Sequence, residues 1–355
     1  MREISSQPGF KGSKVKECYF TNTLLKGSDS GQPLIFQFNS LQLSQFSAVT
    51  WAEMQNTLLI QASYVNHFQD LTYRKCCGQW DIWVEAMGQW LNQDGTSEQY
   101  GYNDTTGGVT FGVDKCYKNF LVGGAFSYTY TYLKWDQSAG NSQINSYYGG
   151  LYGNWNNDLV YVNTSLLGGF SQYDTTRHFP NRRTGRNANS DHNGGELLVG
   201  VESGAIFKKL FIEVDLIPFA SVDYVYLAQQ AYSETGGGGS NLRVSSRNDQ
   251  LFQTQVGIEF ARRFLCGEWM ITPNLALSYV NQSPITSSSL DVTVISLSHE
   301  FSVEGWDFAR NLGELSFSLG FIDCNGITSI SLRYDGQYGG NYWTQTGSLM
   351  FNLHF

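Results

Sequence analysis

Three adjacent residues, Ser190, Asp191 and His192, have the side-chain types of a hydrolytic nucleophile, orienting acid and base. Neighbours on an extended segment point to alternate sides, so these three cannot assemble into a triad among themselves. The other histidines, His67, His178, His299 and His354, show no metal-ligand spacing. The glycine run Gly236–Gly239 is not followed by Lys-Ser/Thr or a helical pattern, as a phosphate cradle requires. No metal and no cofactor is therefore expected. Arg177, Arg182, Arg183 and Arg186 make one segment basic. It reads as a solvated loop, with lipopolysaccharide phosphates as the sharper option. The cysteines, Cys18, Cys76, Cys77, Cys116, Cys266 and Cys324, lack any C-x-x-C pair, which argues against zinc.

Whatever positions these groups must be built from an unusual composition. The 355 residues are only 15% charged but 15% aromatic, with 38 glycines, 6 prolines and a net charge of −9. An acidic chain with so few cations cannot neutralise a phosphate backbone, so nucleic acid is excluded as a partner. High aromatic content argues against disorder. No apolar run reaches the roughly 18 residues of a transmembrane helix. A membrane β-barrel fits instead, because its polar and apolar residues alternate and average out. The first residues, Met1 to Gly9, carry no apolar core and no cleavage site, so no signal peptide is expected in them.

The periodicity divides the chain. Residues 1–49 read as a passenger remnant and linker, with one short apolar patch at Pro33–Phe38. Residues 50–79 form a pore segment. Thr50 and Glu53 have the spacing of a capping box, and Trp51, Met54, Leu58, Ala62 and Val65 recur at helical spacing. A helix over 51–74, with Asn56 among its polar residues, would be roughly 36 Å long, about a bilayer thickness. From residue 80 to 355 the period is two. Twelve strands are expected, at 80–91, 106–115, 119–132, 144–155, 159–173, 195–206, 210–227, 250–264, 268–281, 313–323, 326–336 and 345–355. Residues 290–303 read as an extension within a long loop, since a single-chain bacterial barrel has an even strand count.

The connections alternate in length. Long ones, such as 133–143, 174–194 and 337–344, are separated by short ones at 116–118, 156–158, 207–209, 265–267 and 324–325. Short turns on one rim and long loops on the other suit an outer-membrane barrel. Trp80, Trp90, Trp135, Tyr152, Trp155 and Trp269 would suit interfacial girdles. Parity turns Glu85, Asp114, Glu196, Glu202, Glu213, Asp215, Asp223 and Glu259 into the lumen. Cys76, Cys77, Cys116, Cys266 and Cys324 fall at the short-turn rim, where an oxidising periplasm permits disulfides with each other or with neighbouring envelope proteins.

These residues resemble the translocator domain of autotransporters, the type V secretion system. The marks are Trp83-Val-Glu-Ala86, Gly107-Gly-Val-Thr-Phe-Gly-Val-Asp114, Ser146-Tyr-Tyr-Gly-Gly-Leu-Tyr-Gly-Asn-Trp155, Pro218-Phe-Ala-Ser-Val-Asp-Tyr224, Tyr232-x-Glu234 and Ser348-Leu-Met-Phe-Asn-Leu-His-Phe355. The segment Glu98–Tyr102 and the aromatic style are most similar to the chlamydial polymorphic outer-membrane proteins. The resemblance implies an all-β, transmembrane antiparallel barrel of 12 strands with an N-terminal α-helix threaded through the lumen. It also implies outer-membrane lipid around the barrel and export of an N-terminal passenger. The barrel-assembly machinery would read the C-terminal strand, here Leu349, Phe351, Leu353 and Phe355. Some members cut their linker at an Asn with the help of lumen acids; here the wall acids read more simply as a hydrated polar surface. A porin-like or purely structural barrel is the alternative reading.

Overall fold

Strict alternation of inward and outward side chains builds twelve long strands and closes them into a ring. The computed structural model describes residues 45–71, 80–96, 99–179, 187–211, 213–286, 289–296, 298–303, 305, 308 and 310–355, all within the unit Leu43–Phe355. The patch Pro33–Phe38, Cys18, Cys76, Cys77, Arg182, Arg183 and Arg186 lie outside the described residues.

Among the described residues a long helix, α1 (Gln45–Leu71), comes first. The barrel begins with β1 (Trp80–Gln93), β2 (Tyr102–Tyr117), β3 (Phe120–Trp135) and β4 (Gly140–Asn156). It continues through β5 (Val160–His178), β6 (Asn187–Ala205), the short β7 (Phe207–Phe211) and β8 (Val214–Gln229). β9 (Tyr232–Ser233) and β10 (Leu242–Val244) leave the ring. β11 (Arg247–Arg262), the short β12 (Phe264–Cys266) and β13 (Trp269–Pro284) rejoin it. β14 (Leu290–Val294) and β15 (His299–Val303) leave it again, before β16 (Arg310–Asp323), β17 (Thr328–Gly339) and β18 (Tyr342–His354) complete the wall.

Every neighbour in the ring is antiparallel, and the seam closes by pairing β1 with β18 from Asp81↔His354 to Gln93↔Tyr342. β7 and β12 are rim extensions of β8 and β13. The expected count of twelve barrel strands holds. The segment 290–303 is indeed outside the wall: β15, β14, β10 and β9 form a separate four-stranded sheet. This sheet buries Leu242, Val244, Leu290, Val292 and Val294.

The strands run further toward the long-loop rim than expected. Residues 133–143 and 337–344, read as long loops, are mostly strand, because β3–β4 and β17–β18 stay paired almost to their tips. Hydrogen-bonded pairing continues wherever both chains remain extended, whether or not the side chains still alternate in hydropathy.

The outer face is apolar. Ile82, Phe111, Val122, Leu151, Leu197, Val256, Leu277 and Phe351 are all exposed, as lipid-facing residues must be. Trp80, Trp90 and Trp269 join them at the strand ends. Trp135 and Tyr152, expected in the girdles, are instead fully turned into the lumen. They share the inward parity of their strands, and in the lumen they meet α1 or the groups that bond it.

Candidate functional site: the helix-filled lumen

The interior wall is polar, so the helix inside it is held by hydrogen bonds as much as by apolar contact. α1 has 27 residues and is roughly 40 Å long. Polar and apolar side chains alike are buried against the wall, with Leu59, Ile60, Tyr64 and Phe68 in the same apolar cluster as Trp83 and Tyr152. The residues of the apolar stripe read from the sequence become more exposed along the chain. Trp51, Met54 and Leu58 are buried, Val65 is half-buried, and Ala62 is exposed.

Thr50 and Glu53 do not form a capping box, because α1 is already helical from Gln45. Both side chains are used for anchoring. Thr50 Oγ1 donates to Gln229 Oε1 of β8 at 2.8 Å. Glu53 has 0% exposure, and its carboxylate accepts from Tyr148 Oη at 2.5 Å, Ser171 Oγ at 2.7 Å, Ser146 Oγ at 2.9 Å and Asn56 Nδ2 at 3.1 Å. Asn56 in turn accepts at Oδ1 from Thr131 at 3.0 Å and Thr106 at 3.2 Å. A turn and a half further on, Gln61 Oε1 accepts from Ser165 at 2.5 Å. β2, β3, β4 and β5 therefore all grip the helix at mid-height.

At the long-loop rim Trp51 stacks on Phe308 at 4.6 Å. The Arg310 guanidinium lies 4.5 Å from the Trp51 ring and 3.8 Å from that of Tyr342, and donates to Gln93 at 2.5 Å. Tyr173, His192 and Tyr232 stack in sequence at 4.4 Å and 4.2 Å. Arg177 forms a two-pronged pair with Glu234 at 2.9 and 2.6 Å, tying the four-stranded sheet to the wall.

At the short-turn rim a second network closes on His67. Its Nε2 meets Asp114 Oδ2 at 2.7 Å, and its Nδ1 meets Asn352 Oδ1 at 3.1 Å. The Asn352 amide is oriented by its own donation to Ser329 at 3.0 Å. The His67 ring stacks on Trp83 at 4.6 Å, Trp83 donates to Tyr152 at 2.6 Å, and Tyr152 donates to Asp114 at 2.8 Å. Gly112 stands opposite Trp83, and a Cβ there would meet the indole at 2.2 Å, so the ring position depends on a glycine. Asn66 adds a bond to Glu85 at 3.2 Å.

Of the acids read as lumen-facing, Glu85, Asp114, Glu196, Glu202, Asp215, Asp223 and Glu259 are all buried inside the ring. Glu213 is not: it is exposed in the β7–β8 connection with φ of 62°, where the turn breaks the strand parity. Asp215 sits at the rim, accepting from the Lys209 backbone at 2.8 Å and from Arg263 at 3.0 Å. Glu53 was read only as a cap, and Glu314 and Asp335 escaped the parity reading. Both wall acids lie on segments where serines, glycines and single charges blur the alternation.

Ser190 and His192 turn inward and Asp191 outward, so the three stay apart. Among the described residues no group of three or more His, Cys, Asp or Glu could hold a metal ion. Cys116 is buried and disulfide-bonded, whereas Cys266 and Cys324 are free and exposed on neighbouring turns. The Cys324 N–H donates to Glu268 O at 3.0 Å. Leu349, Phe351, Leu353 and Phe355 point outward along the last strand.

Comparison with known proteins agrees with this architecture. The autotransporter β-domain family model matches residues 82–335. The esterases EstA of Pseudomonas aeruginosa and Pseudomonas putida are each 24% identical over 292 residues, covering 78% of this chain and 43% of the relative. The chain thus spans less than half the length of these relatives. Outer membrane protein A of Rickettsia conorii is 23% identical over 144 residues, covering 40% of this chain and 7% of that protein. The translocator domain of autotransporter NalP from Neisseria meningitidis superposes with a TM-score of 0.65 at 14% identity, covering 87% of this chain and 98% of that one. The β domain of the Bordetella autotransporter BrkA gives 0.61 at 16% identity, covering 78% and 100%. With a closed twelve-stranded ring, a lipid-compatible outer face and a helix bonded into the lumen, the chain belongs to the autotransporter β-domain family and is an outer-membrane translocator domain.

Proposed function

We propose that α1 is the trailing end of an exported chain, retained as a plug after a passenger has crossed the barrel. In this reading residues 1–49 are the end of passenger and linker, 50–79 the pore segment and 80–355 the translocator. The observation that supports it best is Glu53, a fully buried carboxylate on the helix whose acceptor sites are all used by wall and helix donors. A carboxylate is tolerated in the interior only where hydrogen bonds replace its water. Such complete matching argues for a resident helix rather than a transient one. Nothing in the Ser190–His192 geometry supports carrying the esterase name of the relatives over to this barrel.

Planar-bilayer recordings test the plug. The full chain is expected to show a small conductance, and a version starting at Cys77 one at least several-fold larger. Equal, high conductance in both would favour the porin-like alternative.

The outward row Leu349, Phe351, Leu353 and Phe355 is our candidate for recognition by the barrel-assembly machinery. Phe355→Ala is expected to reduce the folded, heat-modifiable band in cells at least threefold while leaving refolding in detergent unchanged. A loss of refolding in detergent as well would make the residue structural.

The short-turn rim of such barrels faces the periplasm. Exposed Cys266 and Cys324 are therefore our candidates for disulfides to neighbouring envelope proteins. Non-reducing gels of isolated envelopes are expected to show high-mass bands that collapse on reduction and vanish in the Cys266→Ser/Cys324→Ser double variant. Bands that persist in that variant would rule these two thiols out.

A further inference from the structure

The helix is not centred in its barrel. Its backbone packs against β2, β3, β4, β5, β6 and β8. On that side the lumen-facing hydroxyls are sealed: Thr110, Ser127, Thr129 and Ser146 each have 0% exposure. The opposite wall is different. Gln255 of β11, Ser278 of β13, Glu314 and Ser318 of β16, and Arg333 and Gln337 of β17 face inward but remain only half-buried. The helix face turned toward them is its least buried one, with Ala62 exposed and Val65 and Gln69 half-buried. Gln69 fixes that orientation, because its Oε1 accepts from Arg333 Nη1 of β17.

We propose that the strip between this helix face and the β11–β13–β16–β17 wall is a solvated path for small monovalent cations. The inference rests on the barrel being plugged by α1, and it assigns the residual permeability of the plugged state to one wall.

The chemistry of the strip is polar and net acidic. Glu314 lies midway. It accepts from Gln337 at 2.7 Å, Gln255 at 2.9 Å, Ser316 at 3.3 Å and Ser278 at 3.4 Å, all neutral donors. Among the described residues it forms no ion pair. Its carboxylate is thus held by neutral donors, with the Arg333 guanidinium as the nearby positive charge beyond ion-pair distance, as suits a site that attracts a passing cation without trapping it. Nearer the short-turn rim, Arg333 donates to both oxygens of Asp335 at 2.9 Å and also reaches Gln69 on the helix. The Arg333 and Asp335 side chains keep 15% and 21% exposure, so this charge-neutral bridge narrows the strip without sealing it. Over the whole wall the inward charges are four carboxylates (Asp249, Glu259, Glu314 and Asp335) against three guanidiniums, of which Arg247 and Arg310 lie at the long-loop rim, so the strip is acidic by one charge. The facing helix side chains Ala62 and Val65 offer no competing ligand, so ions would move along the wall rather than bind to the plug.

The test is reversal potential across a planar bilayer under a tenfold KCl gradient, with the full chain. The intact protein is expected to pass a small current that favours potassium over chloride. Glu314→Gln is expected to lower the permeability ratio at least threefold. Ser318→Lys, which adds a cation to the same strip, is expected to bring it to one or below. Thr110→Val on the sealed side is expected to change neither current nor selectivity. Selectivity unchanged in both Glu314→Gln and Ser318→Lys would overturn the proposal, as would a full chain that inserts but passes no current. The second result would leave the plug itself intact. A large current that is the same with and without the helix would overturn the plug instead.

Discussion

Glu53→Leu is expected to release the helix from the lumen. The substitution keeps an apolar side chain of similar length but leaves the Tyr148, Ser171 and Ser146 hydroxyls and the Asn56 amide facing hydrocarbon. Each buried polar group that loses its partner costs about 1–3 kcal/mol, and hydroxyls can recover part of that by bonding one another, so a net loss of about 4 kcal/mol is the working figure. Because the hydroxyl donors sit on β4 and β5 while the acceptor sits on α1, the loss falls on helix docking and spares the strand ladder. The barrel should therefore still form. Digestion with chymotrypsin should cut within 45–71 at least tenfold faster than in the parent, while the barrel core survives. The sequence of α1 contains aromatic and leucine sites for that protease and no Lys or Arg. Glu53→Gln, which keeps one acceptor oxygen, should fall between the two. Parent-like protection in Glu53→Leu would show that apolar contacts alone hold the plug.

The second large effect is expected at the other end. His67→Ala removes the stack on Trp83 and the contact with Asn352 Oδ1, and among the described residues leaves buried Asp114 with Tyr152 as a side-chain donor. Leaving a buried group without its hydrogen-bond partner costs about 1–3 kcal/mol, and losing a ring stack about 0.5–1.5 kcal/mol. A loss of about 3 kcal/mol is expected, read as a lower urea midpoint for helix release followed by the fluorescence of Trp51 and Trp83. The partner variant Asp114→Asn tests the assignment. If the two side chains act through each other, the double variant should lose about 1–3 kcal/mol less than the sum of the singles. Strict additivity would mean that the stack on Trp83, and not the bond to Asp114, holds the C-terminal turns.

These two anchors were legible in the sequence to different degrees. Asp114 could be placed by parity, since Val109, Phe111 and Val113 alternate with it along one strand. His67 carried no spacing signal, because its partners Asp114 and Asn352 lie 47 and 285 residues away. Glu53 was misread because a Thr-x-x-Glu pattern is the same whether the carboxylate reaches back to its own backbone or across to a wall. The choice depends on where the helix starts, and continued helix from Gln45 leaves no free N–H groups at Thr50 to cap.

Period-two alternation, twelve strands and an acidic lumen were determined by the sequence itself. Each follows from a local rule: strands place successive side chains on opposite faces, and a barrel in lipid must be apolar outside. The tertiary structure decided which face of α1 meets the wall. A helix on a soluble core buries one apolar stripe; inside this cylinder hydrogen-bonding and apolar side chains are buried together, and Ala62 and Val65 line the gap. It also turned Trp135 and Tyr152 inward, put Glu213 in a turn, and gathered two long loops into a sheet outside the ring. Those outcomes depend on partners far apart in the chain, whose distances are set only when β1 and β18 meet.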